Sequence, residues 1–176
     1  MTGKRLGIIG MGRIGKAVAR RAHFGFGLEV VFYNRSPVTD VDDMKALQMA
    51  SVTEVCAASD FISLHCAASP DTYQILDAEA LAAMHEGAYV VNTARGDVVD
   101  EAALVVALNS GAIGGAGLDV YQGEPEINPA ILAAPNTVLL PHLGSATIET
   151  RAAMGLKVVE NARAFAVGRD LVDPIA

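Results

Sequence analysis

The chain has 176 residues, of which 52% are hydrophobic, and this is enough to build the core of one domain. Its formal net charge of −7 and its pI near 5.0 argue against a nucleic acid or an anionic membrane as a partner, because both favour a basic face. The sequence has no apolar run near the ~18 residues of a membrane span, and Cys56 and Cys66 are its two cysteines. These properties predict a cytoplasmic protein with reduced thiols, and no Cys/His spacing indicates a metal site.

A glycine motif separates a predicted short strand from a helix predicted over residues 16–22. Gly10, Gly12 and Gly15 have the spacing G-x-G-x-x-G, which is typical of dinucleotide-binding loops. Gly10 permits a tight turn, Gly12 leaves room for a pyrophosphate next to the backbone, and Gly15 lets the helix pack close to the strand. The unpaired N–H groups and the dipole of the first helical turn attract phosphate. The alternatives are a glycine-rich turn without a ligand and the similar loop of a methyltransferase.

The second predicted strand, over residues 28–33, ends at Asn34, Arg35 and Ser36. In a dinucleotide-binding fold this end faces the adenosine ribose, where an acidic residue would hydrogen-bond the 2′-hydroxyl of NAD and repel a 2′-phosphate. Asn34 is uncharged, Arg35 can bind a phosphate with two N–H groups, and Ser36 can donate a hydrogen bond to it. The turn therefore favours NADP over NAD. The alternative is a solvated turn with a surface arginine.

Predicted helices and strands alternate along the rest of the chain, and Asp77, Asp100 and Thr147 are expected to cap three of the helices. The predicted helices cover residues 41–49, 78–84, 101–109 and 148–167, and residues 52–58 form a further short turn or helix. The predicted strands cover residues 61–65, 88–92, 114–120 and 138–140, and a loop runs from Gly123 to Pro135. This alternation predicts an α/β fold, a doubly wound parallel sheet with helices on both faces.

Polar side chains follow several predicted strands, at the sheet edge where open α/β sheets bind ligands. His65 can contact a cofactor or cap its strand. Arg95 can bind a substrate carboxylate and polarise a carbonyl, or it can form a salt bridge with Asp97 or Asp100. Asp119 can accept a hydrogen bond from the carboxamide of a nicotinamide, or it can close a turn.

A histidine and a glutamate stand near the last predicted strand. His142 follows that strand, and Glu124 lies on the loop before it. Either residue alone would be unremarkable, but together they suggest a pair in which the carboxylate favours the protonated imidazole and fixes its tautomer.

Four ordered motifs together resemble one protein family. They are the glycine motif at residues 10–15, the segment 92–96, the segment 118–120 with Glu124-Pro125, and the segment 141–147. In these segments and across nearly its whole length, the chain resembles the cofactor domain of the D-isomer-specific 2-hydroxyacid dehydrogenases. The turn at residues 34–36 and the surroundings of His142 are most similar to the glyoxylate/hydroxypyruvate reductase branch.

The resemblance implies an NADP-dependent, or NAD-dependent, reductase of a small 2-oxo acid. It implies that His142 protonates the ketone oxygen, that Glu124 holds and charges His142, and that Arg95 binds the carboxylate and carbonyl of the substrate. It also implies that Asp119 contacts the nicotinamide amide. The expected cofactor-binding residues are Gly10, Gly12, Arg13, Ile14, Gly15, Asn34, Arg35, Ser36, His65, Thr93, Asp119 and Gly144.

The resemblance also sets an expectation for domain organisation. Family members carry a substrate lobe of roughly one hundred residues, about the size of a small domain, before the first glycine strand. We therefore expect residues 1–176 to form a Rossmann-type dinucleotide-binding domain without the substrate domain, able to bind cofactor but poor in turnover. The alternative is a dinucleotide-binding module or sensor without catalysis. A homodimer formed through this domain is expected from the resemblance.

Overall fold

The structure, a computed structural model, describes residues 1–174 and contains a parallel sheet of seven strands. The strands are β1 (Arg5–Ile9), β2 (Glu29–Tyr33), β3 (Leu47–Gln48), β4 (Phe61–Leu64), β5 (Tyr89–Asn92), β6 (Gly115–Leu118) and β7 (Thr137–Leu139). The α-helices are α1 (Arg13–Arg20), α2 (Val52–Ala58), α3 (Ala78–Ala82), α4 (Glu101–Ser110), α5 (Pro129–Ala133) and α6 (Ile148–Ala166). The chain divides into two units, Met1–Pro141 and His142–Ala176.

The strand order is β3-β2-β1-β4-β5-β6-β7, and every neighbouring pair is parallel. The chain begins in the middle of the sheet with β1, moves outward to β3, and then places β4 on the other side of β1. The direction of winding therefore reverses between β1 and β4, which is where open α/β sheets bind ligands. This order confirms the predicted doubly wound parallel sheet.

Apolar side chains pack against both faces of the sheet. Along β1, Leu6 and Ile8 belong to one buried cluster and Ile9 belongs to another. Because successive side chains of a strand point to opposite faces, the two clusters lie on opposite sides of the sheet. Helix α1 contributes Ala19 to the first cluster, and α4 contributes Leu104 to the second. Helices therefore cover both faces, as predicted.

The three predicted helix caps are confirmed. Asp77, Asp100 and Thr147 each accept a hydrogen bond from the backbone N–H three residues later, at 2.9, 3.0 and 3.1 Å. These bonds satisfy N–H groups that have no partner inside the helix. Gly111 ends α4 with a φ of 73°, a conformation that favours glycine.

The predicted helix over residues 41–49 is wrong. A single 3-10 turn, Asp42–Met44, ends at Lys45, whose φ is 51°. Leu47 and Gln48 then pair with β2 as the edge strand β3. The mixed pattern of polar and apolar residues is compatible with a helix or a strand. Pairing with the open edge of β2 gives the backbone N–H and C=O groups of this segment hydrogen-bond partners in the sheet.

The predicted loop between Gly123 and Pro135 contains α5. Asn128 caps this helix by accepting a hydrogen bond at 3.0 Å from a backbone N–H of its first turn, and Pro129 occupies the first helical position. Proline is tolerated there because its missing N–H would have no helical partner. Ile131 anchors the helix in the core, with no exposed surface.

The second unit consists largely of α6. None of the side chains of this helix is buried, and Ile148, Leu156 and Phe165 are 86%, 62% and 80% exposed. No helix within residues 1–174 combines the length and the apolar character needed to cross a bilayer.

Candidate functional site

A cleft of about 580 Å³ lies at the carboxyl ends of β1, β2 and β4, where the winding of the sheet reverses. Six residues singled out from the sequence line it together: Gly10, Gly12, Asn34, Arg35, Ser36 and His65. They follow three different strands, and the parallel register brings them to one edge of the sheet.

The three motif glycines differ in what the fold requires of them. Gly10 has a φ of +95°, and a Cβ on it would lie 2.6 Å from the backbone nitrogen of Cys66. A Cβ on Gly15 would lie 2.3 Å from the carbonyl oxygen of Gly10. A Cβ on Gly12 would meet no atom of the described residues within 4 Å. The fold therefore needs glycine at positions 10 and 15, whereas Gly12 leaves open space in the cleft.

The first helix begins earlier than the predicted start at residue 16. Helix α1 starts at Arg13, directly after Gly12, and the N–H of Lys16 donates to the carbonyl of Gly12 at 2.9 Å. Arg13 and Ile14 thus occupy the first turn, and both are exposed. The open N–H groups of this turn lie where the sequence predicts a pyrophosphate.

Hydrogen bonds hold the turn that follows β2 against the glycine loop. The Asn34 side-chain oxygen accepts a hydrogen bond from the backbone N–H of Met11 at 3.2 Å, and its amide group donates to the Ser36 carbonyl at 2.9 Å. The Gln48 side chain, on β3, donates to the Asn34 carbonyl at 2.9 Å. The polar groups of Asn34 are therefore used to shape the turn. Gln48 can reach Asn34 because residues 47–48 form strand β3 next to β2, and not the predicted helix over residues 41–49.

Arg35 is a surface arginine, but it is not without a partner. Its side chain is 81% exposed, and its Nη1 donates to Oδ2 of Asp71 at 2.9 Å. Asp71 also lines the cleft, from the turn Pro70–Thr72 that follows β4. Sequence reasoning gave Asp71 no role, because the two residues are separated by 36 positions and no local pattern links them.

His65 lies partly buried in the cleft. Its Nε2 is 2.8 Å from the hydroxyl oxygen of Ser63, which is buried inside β4. Burial lowers the pKa of the His65 imidazole, so the ring is neutral at pH 7. The bond to Ser63 fixes the ring at the strand end, and the ring lines the cleft from that position.

Asn92 shapes the turn that carries Thr93 and Arg95. Its buried side chain donates to the Arg95 carbonyl at 2.8 Å and accepts a hydrogen bond from the N–H of Ala94 at 3.0 Å. Its own carbonyl accepts a hydrogen bond from the N–H of Asp119 at 2.9 Å. Asp119 is 3% exposed. The ends of β5 and β6 are thereby joined, with Thr93 and Arg95 exposed at their edge.

Arg95 does not form the salt bridge that was its alternative role. Within residues 1–174, neither Asp97 nor Asp100 pairs with it, and Asp100 instead caps α4. The Arg95 guanidinium donates to the carbonyl of Ala94 at 2.6 Å. Its charge faces solvent without an acidic partner among the described residues.

The loop that carries Glu124 packs directly on the Arg95 turn. A Cβ on Gly96 would lie 1.9 Å from the carbonyl carbon of Tyr121, so the two backbones are in contact. Glu124 accepts a hydrogen bond from the N–H of Tyr121 at 2.7 Å. Arg95 and Glu124 therefore lie on segments whose separation is fixed.

Glu101, in the first turn of α4, holds this loop by a hydrogen bond, a role that the sequence did not reveal. Its carboxylate accepts a hydrogen bond from the N–H of Gln122 at 2.6 Å, and the residue is 4% exposed. The sequence presents Glu101 as an ordinary acidic residue in the first turn of α4. Its burial against a loop that lies 21 positions later could not be inferred locally.

His142 and Gly144 belong to the second unit, His142–Ala176. His142 has a φ of 56°, in the left-handed region. The pairing of His142 with Glu124 and the contact of Gly144 with a cofactor stay predictions.

Comparison with known proteins identifies the family. Residues 1–144 match the profile of the D-isomer specific 2-hydroxyacid dehydrogenase, NAD binding domain. The chain belongs to this family. Family members are NAD(P)-dependent 2-hydroxyacid dehydrogenases and reductases, so the alternative of a methyltransferase loop is excluded.

Two relatives and one solved structure illustrate the similarity. The chain is 42% identical to the glyoxylate reductase of Thermococcus litoralis, over 96% of this chain and 50% of the relative. It is 42% identical to the 2-ketogluconate reductase of Gluconobacter oxydans, over 99% of this chain and 55% of the relative. The NADPH-dependent glyoxylate/hydroxypyruvate reductase of Sinorhizobium meliloti, solved with NADP and malonate, has a TM-score of 0.93 at 36% identity, over 99% of this chain and 53% of that one. The chain thus spans about half the length of the relatives it matches.

Alanine substitutions at Gly12 and Gly15 should have different effects: the first should weaken cofactor binding and the second should lower stability. We expect Gly12→Ala to change the free energy of unfolding by less than about 1 kcal/mol, because its Cβ meets no described atom. The same variant should weaken NADPH binding at least about tenfold, because the Cβ fills the space left for a pyrophosphate. Gly15→Ala should lower the free energy of unfolding by about 2–3 kcal/mol through its clash with Gly10. Urea denaturation and nucleotide titration measure both effects, and unchanged NADPH binding by Gly12→Ala would contradict the assigned role.

Glu101 should contribute to stability through its bond to the loop. Glu101→Ala leaves the partly buried N–H of Gln122 without this acceptor and should cost about 1–3 kcal/mol in urea denaturation. Glu101→Gln keeps an acceptor oxygen and should cost less. The matched control is Glu79→Ala, which removes an exposed glutamate from the first turn of α3 and should stay within about 0.5 kcal/mol of the parent. Equal losses for Glu101→Ala and Glu79→Ala would show that the bond to Gln122 adds nothing.

Proposed function

We propose that this chain is the dinucleotide-binding domain of a reductase that converts a small 2-oxo acid of the glyoxylate or hydroxypyruvate type to the D-2-hydroxy acid. The observation that carries the proposal is the cleft at the winding reversal, where the glycine loop and the turn after β2 line one space. Membership of the NAD-binding domain family supports it. The named relatives act on glyoxylate, hydroxypyruvate or 2-ketogluconate, which are all 2-oxo acids.

The residues present fit a nicotinamide dinucleotide. The space beside Gly12 and the open first turn of α1 suit a pyrophosphate, which Gly10, Gly12, Arg13, Ile14 and Gly15 would surround. The turn of Asn34, Arg35 and Ser36 would hold the adenosine ribose. His65, Thr93, Asp119 and Gly144 are proposed for the remaining contacts. When bound, the dinucleotide supplies the hydride chemistry.

The chain's own residues would bind the substrate and move a proton. Arg95 presents an exposed guanidinium, whose planar N–H groups match a carboxylate and can polarise the neighbouring carbonyl. His142 would donate a proton to the ketone oxygen, and accept one in the reverse direction. Glu124 would favour the protonated imidazole and fix its orientation. One carboxylate oxygen of Glu124 already accepts a hydrogen bond from the backbone N–H of Tyr121.

We infer a preference for NADP over NAD. Asn34 offers no carboxylate to a ribose 2′-hydroxyl, and its side-chain oxygen already accepts the Met11 N–H. Arg35 and Ser36 are exposed at the same turn and can bind a 2′-phosphate. The relative from Sinorhizobium meliloti is described as NADPH-dependent.

A homodimer and a cytoplasmic location stay proposals. Light scattering tests whether the chain forms a dimer.

Nucleotide titration tests the cofactor part of the proposal. The intrinsic fluorescence of the reduced nicotinamide should report tighter binding of NADPH than of NADH. Arg35→Ala should weaken NADPH binding about tenfold and NADH binding much less, because the lost contact is to the 2′-phosphate. Arg20→Ala is the matched control, since Arg20 pairs with Asp43 in a similar exposed ion pair outside the cleft. If NADH binds at least as tightly as NADPH, the preference is wrong, and if neither binds, the cleft is not a dinucleotide site.

Turnover separates an enzyme from a binding module. Oxidation of NADPH with glyoxylate or hydroxypyruvate should be abolished in His142→Ala, because the proton donor is lost, and Arg95→Ala should raise KM for the 2-oxo acid at least about tenfold. The readout is the loss of nicotinamide absorbance. Tight NADPH binding without any turnover by the parent chain would support the dinucleotide-binding module instead.

A further inference from the structure

We propose that Asp71 is a specificity-determining residue of the cleft, because its carboxylate holds the guanidinium that a 2′-phosphate would need. The proposal rests on the proposed function only in taking the cleft as a nicotinamide dinucleotide site. It does not depend on turnover or on the second unit of the chain.

The ion pair joins the two sides of the cleft. Arg35 follows β2 and Asp71 follows β4, and these two strands flank β1 in the sheet. Nη1 of Arg35 lies 2.9 Å from Oδ2 of Asp71, and both residues line the same space as Gly12. The pair therefore spans the end of β1, beside the glycine loop.

Both charges are carried on fixed backbone. Asp71 lies in a turn where the hydroxyl of Thr72 donates to the Ala67 carbonyl at 2.6 Å and accepts the N–H of Ser69 at 2.9 Å. The turn that carries Arg35 is held by Asn34, as described above. Hydrogen bonds thus hold both turns, and a phosphate that binds Arg35 from this position lies near the Asp71 carboxylate.

The charges that line the cleft cancel. Among the described residues that line it, Arg35 is the one permanent cation and Asp71 is the one carboxylate, and burial keeps the His65 imidazole neutral at pH 7. A 2′-phosphate therefore approaches a neutral pair instead of a free guanidinium. A phosphate carries a charge of about −1.5 to −2 at pH 7, and like charges placed together reduce affinity for that partner.

Exposure makes this competition reversible. The side chains of Arg35 and Asp71 are 81% and 69% exposed, and exposed ion pairs are weak because water and salt screen them. A phosphate can thus displace Asp71 from Arg35, but it binds less tightly than it would without the carboxylate. NAD has no 2′-phosphate, so its binding should not depend on the pair. Asp71 thereby limits the preference for NADP and makes the cleft tolerant of both cofactors.

The test compares NADPH and NADH binding by the parent chain and by Asp71→Asn, using nicotinamide fluorescence. The amide keeps the size of the side chain and removes its charge. NADPH should bind more tightly to Asp71→Asn by on the order of three- to tenfold at low salt, while NADH binding should change by less than about twofold. The gain should shrink as the ionic strength rises toward about 0.5 M, where the screening length falls below about 5 Å.

Two controls identify the cause of the change. Asp43→Asn removes the carboxylate of the similar exposed pair with Arg20 outside the cleft, and it should leave both affinities unchanged. In the Arg35→Ala background, Asp71→Asn should give a smaller gain for NADPH than in the parent, because the competition for the guanidinium is gone.

The outcomes distinguish this inference from the proposed function. If the parent binds both nucleotides and Asp71→Asn leaves their affinity ratio unchanged, the role of Asp71 is wrong and the dinucleotide site stands. If Asp71→Asn tightens NADH and NADPH equally, the carboxylate acts on the whole cofactor and the inference fails again. If no variant binds either nucleotide, both the site and the role of Asp71 are overturned.

Discussion

The close approach of two backbone segments at the turn between β1 and α1 sets the geometry of the cleft. A Cβ on Gly10 would lie 2.6 Å from the nitrogen of Cys66, and one on Gly15 would lie 2.3 Å from the Gly10 carbonyl oxygen. A side chain at either position would clash with this backbone, so only glycine lets the strand, the loop and the helix pack this closely. The hydrogen-bond ladder continues past the strands, since Gly10 N–H donates to Tyr33 at 2.9 Å and His65 N–H donates to the last residue of β1 at 2.8 Å. The ends of β1, β2 and β4 are therefore held in register, and the side chains that follow them share one space.

The neighbouring edge of the sheet is also held by close backbone packing at a glycine, and buried polar side chains add hydrogen bonds there. Asn92 closes the turn that presents Arg95, and its carbonyl joins the end of β5 to the end of β6. Gly96 lets the following loop lie against this turn, and Glu101 binds that loop from α4. Buried polar groups of this kind are stable only when each is paired, and the pairing in turn fixes the loop. The exposed residues Arg95 and Glu124 thus lie on hydrogen-bonded segments, which suits the substrate-binding and proton-transfer roles proposed for them.

Local and periodic patterns in the sequence predict most of the helices and strands. The sequence does not predict features whose structure depends on a contact between distant segments. The alternation of strands and helices, the caps at Asp77 and Asp100, and the convergence of strand ends all follow from short patterns and from the parallel sheet. The segment 41–49 was predicted wrongly because its mixed pattern suits a helix, whereas the open edge of β2 favours a strand. The roles of Glu101 and Asp71 could not be predicted, since each depends on a partner more than 20 positions away. The pairing of His142 with Glu124 is a prediction from the residue pattern, and the catalytic role of His142 is a prediction that rests on the family resemblance.

The two arginines at the strand ends show why residue type alone does not define a binding site. Arg35 and Arg95 both follow a strand of the sheet, both are exposed, and both can bind an anion with two N–H groups. Arg35 faces Asp71 at 2.9 Å, so an anion must compete with a carboxylate for it. Arg95 has no acidic partner among the described residues, because Asp100 is engaged in capping α4. In a chain of net charge −7, the Arg95 guanidinium therefore keeps its full charge for the substrate carboxylate that we propose it binds, whereas the attraction of Arg35 for a phosphate depends on the carboxylate beside it.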